Sequence, residues 1–169
     1  MSIAAARKPS TALIRPIARQ DNPDMAKIVR AVLTEFGCTA QGFAIHDPEV
    51  DKMFEAYSAP RCAYFIIEDH GNVVGGGGLS PLKGGDRDTC ELQKFYILPE
   101  WRGQGLGQHL LEKGLEAAHA FGFKRAYIET TAQMNHAAAL YRHAGFTPID
   151  GPVGNTGHFS CDRWYVKEL

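Results

Sequence analysis

The segment Arg102-Gly103-Gln104-Gly105-Leu106-Gly107 alternates glycines with other residues, directly behind a strand-like run from Cys90 to Leu98. Behind it, Leu106, Leu110, Gly114, Ala117, Ala118 and Phe121 recur at helical spacing. The first amides of a helix have no partner inside it, and the helix dipole adds partial positive charge there. Glycines let an anion come close to those amides, and Arg102 adds a forked cationic donor. This predicts an anion site, suited to a pyrophosphate. Two nucleotide readings fail on spacing. A P-loop ends Gly-Lys-Ser/Thr, whereas this loop ends Gly107-Gln108-His109; a dinucleotide fingerprint needs a glycine where Gln108 stands.

A second block follows later in the chain: Asn135-His-Ala-Ala138-Ala-Leu-Tyr141-Arg-His-Ala-Gly145-Phe146. It spaces an asparagine, an alanine and a tyrosine three apart and closes on Gly-Phe. The two blocks, in this order, resemble the Gcn5-related N-acetyltransferases (GNAT superfamily). The resemblance runs from about Ile14 to the C-terminus and is strongest from Cys90 to Phe146. It implies acetyl-coenzyme A as co-substrate. Its pyrophosphate would sit on Arg102, Gly103, Gln104, Gly105, Leu106, Gly107 and Gln108. Its pantetheine arm would lie along the backbone of Phe95, Tyr96 and Ile97, like an added strand, beside Asn135, Ala138 and Tyr141. The implied reaction is acetyl transfer to a primary amine of a small molecule by direct attack. Two alternatives stand beside it: an acyl-coenzyme A-binding sensor without catalysis, and an N-acetyltransferase acting on a protein or peptide.

Such a reaction needs protons managed. An alkylamine has a pKa of about 10 and must lose a proton before it attacks, while the leaving thiolate gains one. Tyr141 matches the family's tyrosine and is the candidate donor. Glu91 is the candidate base; strict alternation from it places Gln93, Phe95 and Ile97 on its own strand face, with Leu92, Lys94, Tyr96 and Leu98 on the other. His158 is the second candidate base, since imidazole titrates near neutrality untuned. Asn135 can also cap the helix that it opens. Glu116 and His119 have the Glu-x-x-His spacing of di-iron bundles, but that chemistry needs two such pairs. His136 and His143 are seven apart on one helix, so no metal is expected.

The elements that must position these groups read as one mixed α/β domain over residues 11–169, behind a disordered tail at 1–10. The family fold implies a mixed, mostly antiparallel sheet of six to seven strands with helices on both faces. It also implies a splayed pair, Glu91 to Leu98 and Arg125 to Thr131, that holds the cofactor arm. A first helix follows Asp21-Asn-Pro-Asp and ends at Gly37; a second is predicted from Pro48 to Ala59, and a last strand from Ser160 to Val166. The family lays this region over the acceptor channel, so Phe36, Phe43 and Tyr57 could touch substrate, although each such aromatic more often belongs to the core. Gly75-Gly76-Gly77-Gly78 inside a strand reads equally as room for a ligand or as tight contact with a neighbour. An ammonium acceptor would need carboxylates, and Asp47, Glu49 and Asp162 are available.

A formal net charge of −1 implies no surface for nucleic acid. No apolar run approaches the roughly 18 residues that span a membrane. The four cysteines form no Cys-x-x-Cys pair and fit reduced thiols in a cytoplasmic protein. Arg7, Lys8, Arg15 and Arg19 without an acid also fit a presequence, but Leu13, Ile14 and Ile17 already serve a first strand. A homodimer through the C-terminal strand is compatible with the fold.

Overall fold

The computed structural model describes residues 11–169; the tail expected over 1–10 lies outside them. Seven strands form one sheet in the order β1-β2-β3-β4-β5-β7-β6. They are β1 (Leu13–Pro16), β2 (Ala63–Asp69), β3 (Asn72–Pro81), β4 (Thr89–Ile97), β5 (Arg125–Thr130), β6 (Thr147–Ile149) and β7 (Arg163–Glu168). All neighbours run antiparallel except β4 and β5. The helices are α1 (Asn22–Glu35), α2 (Met53–Ala56), α3 (Leu106–Ala120) and α4 (Asn135–His143). No described helix is long and apolar enough to cross a membrane.

Alternation along β2 shows how the two layers form. Tyr64 and Ile66 face α1, whose stripe of Met25, Ile28, Val29, Val32 and Leu33 is buried against them. Phe65 and Ile67 face Leu106 and Leu110 of α3 on the opposite side. The α4 helix covers that second face further along, through Tyr141 against Phe146 and Tyr165.

Three expectations change. The helix predicted over Pro48–Ala59 is a 3₁₀ turn at Pro48–Asp51 and one short α-turn at Met53–Ala56, broken at Lys52, whose φ is −139°. The last strand begins at Arg163 rather than Ser160, because residues 150–162 turn back across the sheet. Strict alternation along β4 also fails. Gly76 pairs with Tyr96 and Gly78 with Gln93, so Lys94 and Phe95 together oppose Gly77 in a bulge, and Lys94 takes a left-handed φ of 55°. The bulge reverses the faces beyond Gln93. Phe95 therefore joins Leu92 over Gly114 of α3, while Tyr96 turns to the α1 side. Glu91 thus does not share a face with Phe95 and Ile97.

The four glycines take the packed reading. A Cβ on Gly76 or Gly78 would come within 2.7 or 2.5 Å of the Tyr64 ring, and one on Gly77 within 2.6 Å of the Phe95 ring. Aromatic rings fill the space at these three, and at Gly75 the Tyr96 carbonyl, 2.8 Å from such a carbon, does so.

Candidate active site

Parallel pairing of β4 with β5 covers only Thr89–Arg125, Cys90–Ala126 and Glu91–Tyr127. Beyond Glu91 the two strands splay, as the fold expectation required, and a chain of cavities opens in the gap. The first, of about 310 Å³, is bounded by Phe95, Tyr96, Ile97, Arg102, Gly103, Gly105, Gly107, Gln108 and Tyr141. Its floor is the start of α3. Gly103 and Gly105 have φ of 71° and 80°, conformations that L side chains rarely adopt, and no side chain caps the helix. The first amides of α3 therefore open to the cavity, as an anion cradle requires.

Several predicted donor-site residues stand elsewhere. Gln104 donates to the Glu100 carbonyl at 3.1 Å, and Leu106 is buried in the core beneath the loop. Asn135 and Ala138 are absent from the cavity wall, which takes His136, Ala137 and Leu140 from α4 instead. Asn135 is the first residue of α4, with Met134 at the cap position and no side-chain cap, so its capping role also falls. Met134, Val32 and Phe36 complete the wall and were not legible from either motif. The Arg102 guanidinium forks onto Glu35 at 2.8 and 2.8 Å and donates through Nε to the Ile97 carbonyl at 2.8 Å.

A neck of about 60 Å³ continues from this cavity, sharing Phe95, Tyr96, Met134 and Tyr141 with it and adding Glu91, Gln93, Phe43, Cys161 and His158. Tyr141 thus stands where the two meet. Its hydroxyl has no hydrogen-bond partner among the described residues and is not sealed from the cavity. Burial pushes the phenol's pKa upward, so it stays protonated.

Glu91 lies at the other end of the neck, 3% exposed, and accepts a hydrogen bond from Gln93 at 2.6 Å. Gln93 is itself fixed by the Tyr57 hydroxyl at 2.6 Å. Burial raises the Glu91 carboxyl to about 7, with the nearby Glu129 adding to it and Gln93, His158 and Lys94 opposing.

His158 is held on both sides, by Asp47 at Nε2 (2.9 Å) and by Glu129 at Nδ1 (3.4 Å). Burial works against its charge, but these two carboxylates prevail and raise its pKa to about 10. At neutral pH it is a cation, which removes the untuned titration that made it a candidate base. Glu91, Glu129 and His158 each bring one ligand-type atom within 4.8 Å of the others. The charged imidazole between Asp47 and Glu129 joins these acids in one charge network.

A third cavity of about 290 Å³ lies past Glu91, lined by Asp47, Glu49, Tyr57, Ser80, Lys83, Gln93, Thr156 and His158. Asp47 and Glu49 are already committed to the buried Lys94 ammonium, at 2.6 and 3.0 Å. Asp162 lies away from this cavity and accepts the Ala132 amide at 2.9 Å. Asp47 and Glu49 are therefore not an open ammonium site; Glu91 is the acid lining the cavity that no salt bridge holds, with the charged His158 within 4.8 Å of it. A clasp between two loops borders the cavity through Asp47 and His158. The Ser160 amide donates to the Gly42 carbonyl at 3.3 Å, its hydroxyl to the Gln41 carbonyl at 2.5 Å, and His158 reaches Asp47.

Comparison with known proteins agrees with this geometry. The model of the Acetyltransferase (GNAT) family matches residues 28–146. The uncharacterised N-acetyltransferase YjgM of Escherichia coli K12 is 46% identical over 162 residues, which is 95% of this chain and 97% of that one. A GNAT-family acetyltransferase from Staphylococcus aureus Mu50 superposes with a TM-score of 0.83 at 20% identity, covering 94% of this chain and 99% of that one. A Salmonella typhimurium structure holding its cofactor acetyl-CoA superposes with a TM-score of 0.74 at 22% identity, over 95% of each chain. With its cradle, splayed strands and facing tyrosine, the chain belongs to the GNAT family of N-acetyltransferases, whose acyl donor is acetyl-coenzyme A.

Proposed function

We propose that the enzyme acetylates the primary amine of a small molecule. The observation that carries this reading is the clasp: residues 158–160 are tied to Gln41, Gly42 and Asp47, and Asp47 and His158 border the cavity beyond Glu91. A cavity of about 290 Å³ bordered by these tied loops suits a compact acceptor. The donor brings an acetyl thioester, and the open amides at the start of α3 suit its pyrophosphate. Glu91, with a pKa of about 7, takes the proton of the acceptor ammonium directly or through a water. The neutral nitrogen is then the nucleophile. It bonds to the thioester carbon as the carbon–sulfur bond breaks; Tyr141, at the junction of neck and donor cavity, gives a proton to the departing sulfur and regains one from the nitrogen as it becomes an amide. His158 stays charged and, with Asp47, holds the clasp.

The test is thiol release from acetyl-CoA across polyamines, amino acids, aminoglycosides and short peptides, with Tyr141→Phe run beside the wild type and coenzyme A binding followed by calorimetry. Turnover on a small amine, at least tenfold lower in the variant while binding persists, is expected. Turnover on peptides alone would overturn the acceptor class. Unchanged turnover in the variant would remove Tyr141 from the chemistry.

A further inference from the structure

Arg102 carries the charge of the donor loop, and its guanidinium edge is shared with a carboxylate. Glu35, the last residue of α1, takes both terminal nitrogens at 2.8 Å each, and the Phe36 ring lies 5.2 Å from the guanidinium carbon. The hydrogen bonds from Arg102 keep the Glu35 carboxyl below its ordinary pKa, so it stays charged. A carboxylate and a phosphate are the same kind of partner for this edge; each takes the fork with two parallel hydrogen bonds. One edge cannot serve both in that way. Of the other side-chain donors, Nε is fixed on the Ile97 carbonyl at 2.8 Å, which anchors the plane of the guanidinium, and one N–H on each terminal nitrogen lies outside the fork.

The geometry points to Glu35 as a built-in competitor of the donor's phosphates for Arg102. Its carboxylate contends for the fork and sets its own negative charge beside theirs, so it limits how tightly acetyl-CoA is held. The residue lies on α1, outside both sequence motifs, and belongs to no step of the chemistry above. The consequence is an enzyme whose donor affinity is held below what its loop could deliver, which favours release of coenzyme A after transfer.

The experiment is a calorimetric titration of coenzyme A, and separately of inorganic pyrophosphate, into wild type and Glu35→Gln. Glu35 is a partly exposed helix-end residue, and thermal melts check that the variant folds; Glu35→Ala is a second variant without the charge. The expected result is a dissociation constant about three- to tenfold lower for both probes in the variants at low salt, a gap that narrows as salt is added. An equal or weaker affinity would overturn the proposal and make Glu35 a residue that positions Arg102. If neither protein bound coenzyme A, the donor-cavity assignment would fall with it; one shared dissociation constant would sink the role of Glu35 alone.

Discussion

Glu91, the proposed base, shows how its surroundings change what one side chain can do. In water its carboxyl would be ionised far below neutrality and a poor base; buried behind Gln93 and facing Glu129, it titrates near 7. The rate should rise with pH through that value, because only the deprotonated form accepts a proton. In Glu91→Gln the acid limb of kcat/KM is expected to flatten, with activity lower by about tenfold to a hundredfold. His158→Ala removes a cation that favours the Glu91 carboxylate, so the limb should persist and move to higher pH. A limb retained in Glu91→Gln and lost in His158→Ala would return the base to the histidine.

Elements, more than residues, decide what faces what. The bulge at Lys94 and Phe95 puts Glu91 and Gln93 on the acceptor side and Phe95 on the α3 side, and β3 accommodates it only because Gly77 leaves space for the Phe95 ring. Gly77→Ala would place a carbon 2.6 Å from that ring. It should destabilise the fold by about 1–3 kcal/mol in denaturant titration and weaken coenzyme A binding, since Phe95 lines the donor cavity. Gly114→Ala is the contrast. There the new methyl would meet Phe95 and Leu92 at 3.4 and 3.5 Å, which is ordinary contact, and α3 gains helix propensity of up to about 1 kcal/mol. Equal effects from the two substitutions would contradict this account of the glycine run.

Across the whole molecule, the clasp joins the two ends of the fold. Asp47 comes from the connection between α1 and α2, His158 from the loop before β7, and Lys94 and Glu129 from the two splayed strands. Its strength depends on His158 being charged. The folded pKa of about 10 lies above the ordinary 6.5, so this stabilisation is complete below about 6.5 and is lost as pH rises through 10. Between pH 7 and 10 the wild type should lose on the order of 2 kcal/mol more stability than His158→Gln, read from melting curves at each pH. Parallel curves for the two proteins would mean that the histidine carries no such linkage.

The chain's own order of residues determined the chemistry's local parts. The glycine loop ahead of α3 and the tyrosine in α4 depend on contiguous spacing, which one stretch of sequence shows directly. The splayed strand pair followed from the resemblance that those motifs carry. Tertiary structure alone decided the rest. Asn135 and Ala138 share the spacing of Tyr141, yet the rotation of α4 turns Ala137 and Leu140 to the cavity instead. A single bulge reverses the strand faces that alternation predicts, and period-two patterns carry no mark of it. The pairing of Lys94 with Asp47 and Glu49, and of His158 with Asp47 and Glu129, joins residues far apart in the chain. The pKa values of Glu91 and its neighbours come from that burial and charge, which exist only once the chain has closed on itself.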